Sequence, residues 1–129
     1  MARILTDLER ILLNGLNSHI DRLRMGLQPL NINVYPVDIH LIDRINDRGF
    51  DPYDVADVLR TLHQDKLCEF IYGCEHTNKE HTQFGILHQD KFVLHGTYIK
   101  NEIKRVIKFR TVVKYFIGYH FDDFKLEVM

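Results

Sequence analysis

The length and composition are those of one small globular domain. The chain has 129 residues, of which 45% are hydrophobic, and a formal net charge of −1, so we expect a packed core rather than disorder. It contains no run of about 18 apolar residues and no basic–apolar–small pattern of a secretion signal, so we expect a cytoplasmic protein without a membrane partner. Because the net charge is close to zero, the protein surface as a whole does not attract polyanions, so any nucleic-acid binding must come from a local basic patch.

The first element is a long amphipathic helix. Thr6 and Glu9 have the spacing of a capping box, which begins a helix. Leucine and isoleucine then recur at helical spacing, and this pattern predicts a helix over about residues 7–25. Gly26 and Pro29 are expected to end it, and residues 32–35 are expected to be extended because Pro36 follows them.

Two short helices separated by a tight break are predicted next. The first covers residues 38–48 and stops at Gly49, a residue that readily adopts positive φ. The second begins with Asp51 as N-cap and Pro52 at the first helical position. It is expected to continue to Leu62, with apolar residues at helical spacing.

Beyond residue 65 the pattern becomes typical of strands. Residues 67–72 are rich in β-formers and stop at Gly73, so they predict a strand. Residues 74–83 are polar and read as a loop. A hairpin of two strands at 84–88 and 91–98 is expected, with its turn near Gln89 and Asp90, and further strands are expected at 104–115 and 116–124. We therefore predict a single α+β domain over residues 1–129, in which three helices (about 6–65) pack on a four- or five-stranded antiparallel sheet (about 66–128).

The first of the two central helices has a polar stripe whose residue types suit catalysis. His40, Arg44 and Arg48 are four residues apart and share one face, opposite the apolar residues of the same helix. An imidazole beside two guanidinium groups suits binding and cleavage of a phosphodiester. The alternative is an ordinary solvated helix face that includes a histidine.

A second candidate phosphate-binding feature is the strictly alternating strand 104–115. Alternation places Lys108 and Arg110 on one side of this strand and mainly apolar residues on the other. Basic side chains along a strand contact nucleic-acid phosphates in many proteins. The alternative here is a solvated strand face.

The sequence contains no standard motif for binding a metal or a nucleotide. Cys68, Cys74, His76 and His81 lie close in sequence, but their spacing differs from that of standard zinc modules. The two cysteines suit reduced thiols, or else one disulfide. No P-loop, dinucleotide-binding glycine motif or nucleophile elbow is present. We therefore expect neither a metal nor a cofactor.

Cleavage of RNA without a metal fits the residue types better. It requires a base for the ribose 2′-OH, an acid for the leaving 5′-oxygen and cations at the phosphate. Histidine suits both proton roles near neutral pH. Besides the helix stripe, the second short helix and the residues after it offer Arg60 and His63, and the predicted strands offer His88 and His95.

The stretch from Tyr35 to Arg48, which reads YPVDIHLIDRINDR, closely resembles the core motif of the RegB family of phage endoribonucleases. It resembles more loosely the RelE/BrnT group of ribonuclease toxins. The close resemblance covers about residues 35–60, and the order of elements is similar over nearly the whole chain. Residues 107–113 are also similar to the late strand of RelE-like folds.

The resemblance implies a metal-independent endoribonuclease that cuts early phage messages at purine-rich translation-initiation sites and leaves a 2′,3′-cyclic phosphate. It implies single-stranded mRNA as the partner, in the host cytoplasm, with the ribosome or a ribosomal protein as a further partner and no DNA. The first catalytic histidine of the family falls on His40. The position of the second is occupied by Arg60, which departs from the family pattern, and His63 lies three residues further on.

Three interpretations of that departure stay open. Either His63 takes over the proton role, or Arg60 acts as a cation, or activity is lost and the domain binds RNA or protein without cleaving it. A toxin-like ribonuclease that acts at the ribosome is a further alternative.

Overall fold

The computed structural model describes residues 4–62, 64–76 and 79–128, and in these ranges the chain forms four α-helices, a short 3-10 helix (Gln28–Leu30) and five strands. The helices are α1 (Asp7–Leu27), α2 (Ile39–Asp47), α3 (Pro52–Arg60) and α4 (Gln64–His76). The strands are β1 (Asn33–Val34), β2 (His81–His88), β3 (Phe92–Lys100), β4 (Arg105–Lys114) and β5 (Phe124–Val128). The predicted α+β class is confirmed.

The predicted starts of the first three helices are confirmed by their caps. Thr6 Oγ1 accepts a hydrogen bond from the Glu9 backbone N–H at 3.1 Å, and the Thr6 backbone N–H donates to Glu9 Oε1, also at 3.1 Å. Asp38 caps α2 through the backbone N–H of His40, at 3.0 Å. Asp51 caps α3. Each cap satisfies a backbone donor that a helix N-terminus leaves unpaired.

The five strands form one sheet in the order β1-β4-β3-β2-β5. The inner pairs are antiparallel, whereas the outer pairs, β1 with β4 and β2 with β5, are parallel. The sheet is therefore mixed, and the prediction of a purely antiparallel sheet was wrong. A parallel neighbour needs a long crossover, and both outer pairs join segments that are distant in sequence.

The strand predicted at residues 67–72 is wrong, because these residues belong to helix α4. Phe70 and Cys74, four residues apart, are both buried, and Leu67 and Ile71 pack against the same core. This spacing is helical, and it becomes visible only when the pattern is followed beyond Gly73. The helical part of the chain therefore extends to His76 rather than to about residue 65.

Gly73 lies inside α4 and does not end a strand as predicted; it allows β5 to approach the helix closely. A Cβ at this position would lie only 2.0 Å from the nearest atom of the Phe124 ring. The bare backbone of α4 thus allows β5 to pack against the helix. Phe124 also lies near Phe70, with ring centroids 6.2 Å apart.

The last strand begins later than predicted. Residues 115–123 are an irregular crossover that leads from β4 to the far edge of the sheet, where Phe124–Val128 pairs with β2. Asp123 anchors the end of this crossover. Its carboxylate accepts the backbone N–H of Gln83 at 2.9 Å, and its own backbone N–H donates to the Gln83 carbonyl oxygen at 3.2 Å.

The two faces of the sheet have different environments. One face carries Phe84, Ile86, Leu94 and Tyr98, which belong to the core that the helices share. Because side chains alternate along a strand, the residues between these belong to the opposite face, which we call the distal face. It includes Gln83 on β2, and His95 and Thr97 on β3.

A β-bulge changes which residues of β4 belong to the distal face. Gly96 pairs with Phe109 and His95 pairs with Thr111, so Arg110 is an extra residue. The strict alternation predicted for residues 104–115 is therefore wrong beyond Phe109. Thr111 joins the distal face opposite His95, and Val112 joins the core instead.

Candidate functional site

The predicted polar stripe of α2 exists. His40, Arg44 and Arg48 are exposed, and the opposite side of the helix buries Leu41, Ile42 and Ile45. His40 lies at the start of the helix, and Arg48 is the residue that caps its end. With a rise of 1.5 Å per residue, the backbones of these two residues are about 12 Å apart along the axis.

Arg48 connects the end of α2 to the sheet. Its Nη1 donates to Thr111 Oγ1 at 3.1 Å and also to the backbone oxygen of Val112. Since Thr111 is paired with His95, the Arg48 guanidinium lies at the rim of the distal face. Arg48 is thus the member of the stripe that approaches a histidine of the sheet.

The centre of this region is a hydrogen bond between His95 Nε2 and the Tyr119 hydroxyl, which comes from the crossover. Burial lowers the pKa of His95, and Arg48 acts in the same direction, while Asp122 and the backbone of Phe84 oppose them. Burial and Asp122 raise the pKa of Tyr119. Near neutral pH the pair is therefore a neutral imidazole beside a neutral phenol.

Further cations border this pair along β4. Lys108 is paired with Thr97 across the strands and is exposed. Arg110 is exposed at the bulge, and its Nη1 atom lies 3.5 Å from Thr97 Oγ1. Thr97 donates to Gln83 Oε1 at 3.0 Å. The three basic residues Arg48, Lys108 and Arg110 thus border the row of polar residues that crosses the distal face.

The crossover covers the other side of the pair with aromatic rings. Phe121 lies over Gly85, where an added Cβ would be 2.8 Å from the ring, and its centroid is 5.1 Å from that of Tyr119. Phe116 packs edge-on against Tyr119 at 5.4 Å but stays 59% exposed. His95 is therefore half-buried beneath a partly open aromatic segment.

Replacing Arg48 with alanine is expected to raise the pKa of His95. A nearby positive charge disfavours the imidazolium form, so its removal makes protonation easier. NMR titration of the His95 ring should show the midpoint moving to higher pH. Arg44→Ala, one turn earlier in α2, is the matched control and should leave the midpoint unchanged. An equal midpoint in the wild type and Arg48→Ala would mean that Arg48 does not act on His95.

The other predicted catalytic positions lie elsewhere. Arg60, at the end of α3, is exposed and pairs with Asp57, with Nε and Nη2 each 3.2 Å from Oδ1. It borders a cleft between helices with His19, not with His40. His63 lies outside the described residues. Arg44 has no hydrogen bond or ion pair with a side chain in the described part of the chain.

Sequence reasoning named His95 only as one of several strand histidines, and it missed Tyr119. Residues 116–124 read as an edge strand, so their return across the sheet was not expected. Cys68, Cys74, His76 and His81 form no metal-binding cluster, since no group of three or more potential ligands occurs in residues 4–62, 64–76 and 79–128. Over the same residues, no helix is long and apolar enough to cross a membrane.

Comparison with known proteins gives no matching family model, no matching curated protein and no matching solved structure. The resemblance to the RegB family rests on the sequence motif described above and stays a prediction.

Proposed function

We propose that this chain is an endoribonuclease that cleaves single-stranded RNA without a metal ion, and that the His95–Tyr119 pair transfers the proton. The observation that carries this proposal is the hydrogen bond between these two neutral groups, with Arg48 at one side and Arg110 at the other. A neutral imidazole is a proton acceptor, and fixed guanidinium groups stabilise the charge of a phosphate in the transition state.

The proposed reaction begins at the ribose 2′-hydroxyl. Its proton passes to the Tyr119 oxygen as the phenol proton passes to His95 Nε2, and the 2′-oxygen attacks the adjacent phosphorus. The bond from phosphorus to the 5′-oxygen breaks, and this oxygen takes a proton from water at the open surface. The products are a 2′,3′-cyclic phosphate and a 5′-hydroxyl, and the imidazolium then returns its proton to solvent.

The surroundings of the pair suit unpaired RNA. Two apolar side chains close to Tyr119 in sequence are exposed, Phe116 to 59% and Ile117 to 96% of their surface. An exposed ring such as that of Phe116, next to cations, provides a surface on which bases stack. By resemblance, we propose purine-rich translation-initiation sites of mRNA as the substrate, in the cytoplasm, with the ribosome as an accessory partner. His40 is the second candidate proton carrier.

One observation favours a second function, a non-catalytic RNA-binding or protein-binding domain. Arg60, which falls on the second catalytic histidine of the family, pairs with Asp57 and borders a different cleft. A chain that has lost this part of the family site can keep its basic surface and bind RNA without cutting it.

The test is to incubate the purified protein with a short purine-rich RNA in EDTA and to identify the ends of the products. The proposal expects cleavage that survives EDTA and yields 2′,3′-cyclic phosphate ends. Cleavage that EDTA abolishes and a divalent ion restores would overturn the metal-free mechanism. RNA binding without cleavage, with and without added ribosomes, would favour the second function.

A further inference from the structure

A cleft of about 620 Å³ lies among α1, α3, α4 and the turn after α1. Its walls are apolar and include Leu23, Leu27, Leu59, Leu62, Leu67 and Ile71. Ligand sites for small molecules have volumes of roughly 300–1,000 Å³ and mainly apolar walls. The cleft is lined by helices and their connections and not by the distal face, so it is separate from the site of His95.

The rim of the cleft is basic. His19, Arg22 and Arg60 all border it. Arg22 has no ion-pair partner among the described residues. Arg60 binds Asp57 through Nε and Nη2, and its Nη1 has no ion-pair partner within the same residues. Burial, Arg22 and Arg60 lower the pKa of His19, while Asp57 opposes them. Among the described side chains of the rim, Arg22 and Arg60 thus carry more positive charge than Asp57 balances.

His19 has a ring nitrogen that lacks a partner. Its Nδ1 atom is buried and has no hydrogen-bond partner in the part of the chain that the structure describes. Because Nδ1 is itself closed to solvent, it does not serve as a binding group in the cleft. The apolar walls and the basic rim together match a molecule with an apolar body and one anionic head.

We propose that this cleft binds a small amphipathic carboxylate, whose chain lies against the leucines of α1, α3 and α4 and whose head group lies at Arg22 and Arg60. This site does not depend on RNA cleavage, because none of its residues belongs to the distal face.

The test uses decanoate as the probe and decanol as its uncharged counterpart, with binding measured by NMR titration below the micelle concentration. Arg22→Gln and Arg60→Gln should each weaken decanoate binding about tenfold, the effect of losing one charge-assisted hydrogen bond. Decanol should bind these variants and the wild type equally. Arg10→Gln is the matched control, since Arg10 is an exposed α1 residue that pairs with Asp7, and it should change neither affinity.

A second variant tests the location independently of charge. Gly26 borders the cleft, and the nearest atom to an added Cβ there is a Leu67 methyl at 3.7 Å. Gly26→Leu should fill the cleft and abolish binding of both probes while α1 stays folded. The proposal is overturned if decanoate binds only near its micelle concentration, if its shifts fall on other surfaces, or if the glutamine variants bind it as the wild type does.

Discussion

His95→Ala is expected to lower the rate of RNA cleavage by roughly two to four orders of magnitude, the usual contribution of a positioned proton acceptor. The imidazole is held by Tyr119, and its lowered pKa keeps it neutral at pH 7. Single-turnover cleavage of the purine-rich RNA measures the effect. His95→Gln is the companion variant, because it retains a polar group beside Tyr119 but cannot titrate, and it should be as inactive as the alanine variant.

His40→Ala is the decisive comparison for this prediction. His40 is exposed on α2, so its removal should change the free energy of unfolding by no more than about 0.5 kcal/mol. If His95 transfers the proton, His40→Ala retains most of the rate. If His40→Ala is inactive and His95→Ala is active, the catalytic centre is the helix stripe. If both variants are folded and cleave RNA as fast as the wild type, neither histidine is catalytic and the proposed site is wrong.

The local elements of this fold were predictable because local chemistry determines them. The caps at Thr6, Asp38 and Asp51 are encoded within a few residues of each helix start. The turn between β2 and β3 was also predicted, and Gln89 and Asp90 there have φ values of 49° and 56°. Aspartate tolerates the left-handed conformation that a tight hairpin requires, whereas Gln89 adopts it only because the two strands impose it.

What the sequence did not reveal depends on contacts between distant segments. Gly73 resembles a stop signal, and only the packing of Phe124 against α4 explains it. The bulge at Arg110 places Thr111 on the same face of the sheet as His95, and an alternating sequence pattern alone does not predict a bulge. Tyr119 approaches His95 through an irregular crossover whose path has no periodic signal. The sequence therefore predicted the cations Arg48, Lys108 and Arg110 of the candidate site and offered His95 as one of several histidines, but it did not predict Tyr119.

Joint replacement of Lys108 and Arg110 by alanine should weaken RNA binding and flatten its salt dependence. Both side chains are exposed on β4, and each phosphate contact contributes a slope of roughly −0.7 for single-stranded nucleic acid. The loss of two contacts should therefore reduce the slope of log K against log salt by about 1.4. Fluorescence anisotropy with a labelled RNA, from low to moderate salt, measures this slope.

The control for this double variant removes the same charge from the helical side. Arg10 and Lys66 form ion pairs on α1 and α4, so Arg10→Ala with Lys66→Ala changes net charge equally without touching the distal face. If binding depends only on net charge, both double variants lower the slope alike. If RNA lies on the distal face, only the β4 variant does. An unchanged slope in the β4 variant would mean that Lys108 and Arg110 do not contact RNA, and the Arg48 end of the surface would then have to bind the phosphates alone.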